Sequence, residues 1–110
     1  YFFRDFEAYE ESAAKKHLRP VAASMLEDLL GQLRSITDWQ ADVIHDAINN
    51  TSKSYGAKLG KIAQPLRVAV SGTAATPPID ETLALVGRTK TLQRIERALR
   101  YISERTSAGA

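Results

Sequence analysis

The chain has no cysteine. Disulfides, thiolate nucleophiles, zinc–thiolate sites and iron–sulfur clusters are therefore excluded. The fold must rest on its core alone, which suits a reducing, cytoplasmic setting. Four prolines and six glycines in 110 residues are too few for a collagen-like or low-complexity chain. No apolar run approaches the ~20 residues of a membrane span, so no membrane partner is expected. The opening Tyr1-Phe2-Phe3-Arg4-Asp5-Phe6 lacks the basic-then-apolar order of a signal peptide. It also lacks an initiating Met, and so reads as a piece of a longer chain.

What is present is globular composition: 44% apolar and 25% charged residues, enough for one domain with one core. The net charge of +2 hides an asymmetry. Residues 1–55 hold six basic and nine acidic side chains, a balance of −3; residues 56–110 hold nine and four, a balance of +5. Two readings fit. A basic half can face a polyanion, or it can be an uneven solvated surface.

Apolar residues mostly recur at helical spacing. Pro20 opens a first helix whose stripe is Ala22, Leu26, Leu29, Leu30 and Leu33, with Met25 beside it. Thr37-Asp38-Trp39-Gln40 matches a capping box, with a helix from there towards Ser54. The polar run Asn49-Asn50-Thr51-Ser52 is expected to fray that helix. Gly56 and Gly60 are read as bounding a short connection.

Gln64 to Gly72 is ambiguous: Leu66, Val68 and Val70 alternate as in a strand, while Pro65 and Gly72 sit where a helix starts and stops. No second strand of matching quality exists, so a short helix is expected. Residues 80–86 give another short helix stopped by Gly87. Thr89 or Thr91 caps a last helix with the stripe Leu92, Ile95, Leu99 and Ile102, and Arg94, Arg97, Arg100 and Arg105 off it. The fold class is all-α, a helical cage or bundle of about five or six helices.

No catalytic constellation is assembled. His17 and His45 have no partner at metal spacing, so no metal site is expected. No serine lies in a G-x-S-x-G elbow, and no glycine run matches a phosphate-cradling motif. The acidic pairs Glu10-Glu11, Glu27-Asp28 and Asp80-Glu81 are neighbours that do not face each other on a helix. Gln64 and Arg67 are different. Placed at a helix start, they would join free N–H groups to an amide and a five-donor fork, which suits unstacked bases. The alternative has Arg67 capping a neighbouring helix and Gln64 as an N-cap.

Several segments together resemble a known family. They are Gly60-Lys61-Ile62-Ala63-Gln64-Pro65-Leu66-Arg67-Val68-Ala69-Val70-Ser71-Gly72, then Thr76-Pro77-Pro78, Leu83-Ala84-Leu85-Val86-Gly87-Arg88, and Thr91 to Leu99. Upstream come Tyr1-Phe2-Phe3 and Lys15-Lys16-His17-Leu18-Arg19-Pro20. They are similar to the C-terminal anticodon-binding region of bacterial glutamyl-tRNA synthetases, across nearly the whole chain.

The resemblance implies an all-α cage as one anticodon-binding domain over residues 1–110. Residues 1–18 would lead in from a missing upstream catalytic domain, itself a partner. It implies tRNA(Glu) as the partner, read at its anticodon loop by Gln64, Arg67, Thr76 and Ile79. Lys61, Arg88 and Arg94 would be offered to phosphates. The parent enzyme would be a class I glutamate–tRNA ligase using ATP with Mg2+, whereas these residues would bind no cofactor and hold no catalytic group. HIGH- and KMSKS-type signatures are absent; Thr51-Ser52-Lys53-Ser54 is a superficial echo. A helical scaffold or protein-interaction domain without an RNA role is the competing expectation.

Overall fold

Amphipathic stripes ended by glycines and joined by short turns leave the chain one way to bury its leucines and isoleucines: helix against helix. The computed structural model describes Tyr9 and residues 15–56, 58–72 and 78–109. After a helical turn at residues 15–17 come α1 (Pro20–Arg34), α2 (Ala41–Ser54), α3 (Leu59–Ser71), α4 (Ile79–Val86) and α5 (Arg88–Gly109). Every element among the described residues is helical and none is a strand. The segment expected to lead in, residues 1–18, lies mostly outside the described residues.

The first helix is as expected. Leu26, Leu29 and Leu33 are fully buried, and Met25 fills in beside them. They meet Ile44 and Ile48 of α2, Leu83 of α4 and Ile95 of α5 in one core. Burying an aliphatic side chain of this size stabilises by about 1.5–3 kcal/mol. This core, with no covalent crosslink, holds the domain together.

The third helix is the centre of the assembly and packs against the other four. It starts at Leu59, not Pro65, and Gly60 lies inside it rather than bounding a connection. Ile62, Leu66, Val68, Ala69 and Val70 are all fully buried. The last two turns of α3 are buried on every side but the one Arg67 occupies, so Leu66, Val68 and Val70 can alternate without forming a strand. Gly72 ends it in the left-handed region at φ 84°, its N–H donating to Val68 O at 2.8 Å. Gly87 holds φ 93° and ψ 157°, a glycine-only conformation, and joins α4 to α5 with no intervening loop.

Three local expectations are corrected. The Thr37–Gln40 capping box does not form. Gln40 is itself the N-cap of α2, and its amide turns to the Asp38 carboxylate at 2.9 Å. Residues ahead of α2 stay non-helical because Trp39 is needed elsewhere: its indole Nε1 donates to Leu83 O, near the end of α4. Asn49 to Ser52 does not fray α2. Thr51 is fully buried, donates to Ala47 O and accepts from Gln32 Nε2 of α1, while Ser52 donates to Asn49 O. Neither Thr89 nor Thr91 caps α5: the helix begins at Arg88, both lie within it, and Thr91 N–H donates to Gly87 O.

Candidate nucleic-acid interface

Most of α3 is unavailable to a ligand, which makes its polar residues conspicuous. Gln64 and Arg67 stand three residues apart, on one face of the helix, and both are half-buried. Neither sits at a helix N-terminus, because α3 begins five residues before Gln64. The free N–H groups expected around Arg67 are instead at Leu59 and Gly60. What Gln64 and Arg67 offer is unmet hydrogen-bonding capacity. Gln64 Oε1 and Arg67 Nε are buried and have no hydrogen-bond partner among the described residues. Such atoms cost on the order of 1–3 kcal/mol each when left dry, so a ligand that satisfies them recovers that free energy. Among the described residues, no helix end accepts a hydrogen bond from Arg67 Nε.

The remaining expected site residues separate. Thr76 lies outside the described residues. Ile79 opens α4 and is 6% exposed, packed in the core instead of presenting an open apolar platform. Lys61 is exposed on the first turn of α3. Arg88 donates from Nε to Ile36 O at 3.2 Å and from Nη2 to Arg34 O at 2.6 Å, closing the C-terminal end of α1. Arg94 is only 4% exposed and donates from Nη1 to Val70 O at 2.7 Å, closing the C-terminal end of α3. Both arginines meet the negative ends of helix dipoles. Arg94 is therefore an internal strut and not a surface cation, a correction to its expected role.

The structure adds cations that sequence spacing did not assign. A pocket of about 600 Å³ opens between residues 16–19 and the start of α3. Lys16, Arg19, Lys58 and Lys61 line it, with His17 and Gln64. Burial, reinforced by the charge of Lys16, pushes the His17 imidazole below its usual pKa. The Lys15-Lys16-His17-Leu18-Arg19 run was visible in the sequence, but nothing local pairs it with Lys58 and Lys61 some forty residues on.

Among the described residues no group of three or more His, Asp or Glu could hold a metal ion. No helix among them is long and apolar enough to cross a membrane.

With this geometry in view, comparison with known proteins is decisive. A family model described as an anticodon binding domain matches residues 1–99. The chain belongs to the anticodon-binding domain family. It is 49% identical over 107 residues to glutamate–tRNA ligase 1 of Nitrosococcus oceani, which covers 97% of this chain and 23% of that protein. A crystal structure of a glutamate tRNA ligase from Elizabethkingia meningosepticum, in complex with its amino acid, superposes with a TM-score of 0.86 at 28% identity. It covers 92% of this chain and 20% of that one. The glutamate–tRNA synthetase of Elizabethkingia anophelis gives 0.79 at 28% identity over 90% of this chain and 19% of its own. The chain thus spans about a quarter or less of the length of these relatives. The all-α architecture expected from helical spacing agrees with theirs.

Proposed function

We propose that this chain reads the anticodon loop of tRNA(Glu) as the anticodon-binding part of a glutamate–tRNA ligase. The observation that carries the reading is the Gln64–Arg67 pair: two neighbouring side chains of one buried helix, each with a buried polar atom unsatisfied among the described residues, in a member of the anticodon-binding family. Anticodon bases splayed out of their stack expose Watson–Crick edges that a duplex hides. The Gln64 amide both donates and accepts, so it can pair with a base edge. Arg67 donates in a fixed planar fork to base carbonyls or phosphates and stays charged at any physiological pH. Because α3 packs against the other four helices, both groups are held before the RNA arrives. Thr76 and the Pro77-Pro78 segment follow α3 in sequence and would complete the base contacts, beside Ile79 at the start of α4. A (C/U)UC triplet would be the set read.

Glutamate activation with ATP and Mg2+ is assigned to other parts of such a ligase. The 110 residues carry no phosphate-cradling glycine motif and neither adenylate-forming signature.

The test is binding of a fluorescent anticodon stem–loop of tRNA(Glu) against the same stem–loop with its anticodon exchanged. The wild-type chain should prefer the glutamate anticodon. Arg67→Ala should weaken that binding by about 1–3 kcal/mol, roughly 5- to 150-fold, and erode the preference. In a full ligase carrying this chain, the same variant should slow tRNA charging and leave adenylate formation intact. A scaffold domain would show no anticodon preference at all.

A further inference from the structure

Arg67 stands on a part of α3 that the helix alone holds loosely. Pro65, two residues before it, has no N–H to give the Lys61 carbonyl, so a rung of the backbone ladder is missing between the first and last turns of α3. Ser71, four residues after it, turns its hydroxyl back onto the Arg67 carbonyl at 2.6 Å. Such back-bonding competes with the ladder and bends helices. These two loosening devices bracket Arg67, and the helix ends directly afterwards at Gly72. The helix start at Leu59 therefore does not dictate where Arg67 points.

The last turn is held from outside. Arg94 donates from Nη1 to Val70 O at 2.7 Å, three residues beyond Arg67. The base of that contact is itself fixed. Ile95 and Ala98 near Arg94 on α5 are fully buried, and Glu96 pairs with Arg34 of α1. Arg88 ties the start of α5 to the end of α1 as well. An arginine only 4% exposed is a costly way to fill a core, because a charge taken from water must be compensated. An apolar side chain of similar volume would pack the same space without that cost. It would not fix a direction, whereas a planar guanidinium holds the carbonyl it meets in one orientation.

Resting on the anticodon-reading function above, we infer that Arg94 is a positioning residue for anticodon recognition: it ties the last turn of α3 to α5 and so sets where the Arg67 fork meets the bases. At 4% exposure Arg94 is closed off from the RNA and acts through Arg67. A hydrogen bond fades beyond about 3.2 Å, so a shift of the last turn by about an ångström loses the base contact.

The test is a double-mutant cycle on stem–loop binding by the 110-residue chain, with Tm recorded for every variant. Arg94→Met should weaken binding of the glutamate stem–loop by about 5- to 30-fold and erode its preference over the exchanged anticodon. In the Arg67→Ala background the same change should weaken binding by less than about 2-fold, because the group it positions is gone. The Tm loss from Arg94→Met should be the same in both backgrounds. Ile48→Ala, a change in the core face of α2, should lower Tm and leave the preference intact at a temperature where the chain is folded. Where Arg94→Met does not fold, Arg94→Lys takes its place, keeping a charged donor on a shorter, unforked side chain. It should cost about 3-fold in the wild-type background and nothing measurable in Arg67→Ala.

Additive binding losses in the cycle overturn the inference. A folded Arg94→Met or Arg94→Lys chain with wild-type affinity and preference overturns it too, and leaves Arg94 a strut alone. Equal loss of preference in Ile48→Ala has the same consequence, since destabilisation by itself would then suffice. All three leave base reading by Arg67 standing. A wild-type chain with no anticodon preference removes the base-reading assignment, and this inference with it.

Discussion

Two groups of cations in this domain look alike in sequence and serve opposite ends. Arg94, buried, and Arg88, exposed, both spend donors of α5 on carbonyls at the ends of α3 and α1. Lys16, Arg19, Lys58 and Lys61 turn outward around an open pocket. The basic second half of the chain is thus divided between holding helices together and facing solvent. Charge counted along a sequence does not locate a polyanion site, because helix C-termini consume cations first where those cations are buried with them.

The sharpest way to break this contrast is to remove a cation from each group and measure stability and RNA binding separately. Arg94→Met should cost the most, about 3 kcal/mol in urea unfolding, since it strips a charged donor from the buried Val70 carbonyl. That corresponds to a Tm lower by roughly 12–24 °C. The salt slope of RNA binding by the folded variant should not move. A stable Arg94→Met chain with a reduced salt slope would place Arg94 with the outward group. Arg88→Ala should cost less, about 1 kcal/mol, because its capping bonds lie at the exposed end of α1. Lys58→Ala/Lys61→Ala should leave stability within ~0.5 kcal/mol.

The smallest effect sharpens the contrast by pH. The charged groups sharing the pocket with His17 are Lys16, Arg19, Lys58 and Lys61. Its pKa is lowered by burial first and Lys16 second, so the unfolded chain binds its proton more readily than the folded one. The stability contribution is full above about 6.5, the unperturbed value, and is lost as pH falls through the lower folded value. His17→Gln should flatten that slight acid-side slope in thermal melts.

The fold was largely legible and the site only partly so, for physical reasons. Helices α1 and α4 each present one face to the core, so their stripes, the Pro20 start of α1 and the Gly87 stop of α4 could be read from the sequence. Helix α3 could not be bounded. Its last two turns are buried around Arg67, so Leu66, Val68 and Val70 imitate a strand's alternation, and Pro65 in its interior imitates a helix start. The false capping box at Thr37 arose because Trp39 reaches across to Leu83, a tertiary demand invisible in four residues. The proposed roles of Gln64 and Arg67 rest on their motif, and the helix N-terminus expected beside them lies at Leu59. The pocket was missed because its two walls come from segments that meet only in the folded chain.

In the proposed function, this domain meets bases of the anticodon loop. Nuclease footprinting of tRNA(Glu) bound to the chain, or to a full ligase that carries it, tests this most directly. Protection should cover the three anticodon nucleotides and weaken there in Arg67→Ala. Unaltered cleavage of those nucleotides in a demonstrably bound complex would contradict it.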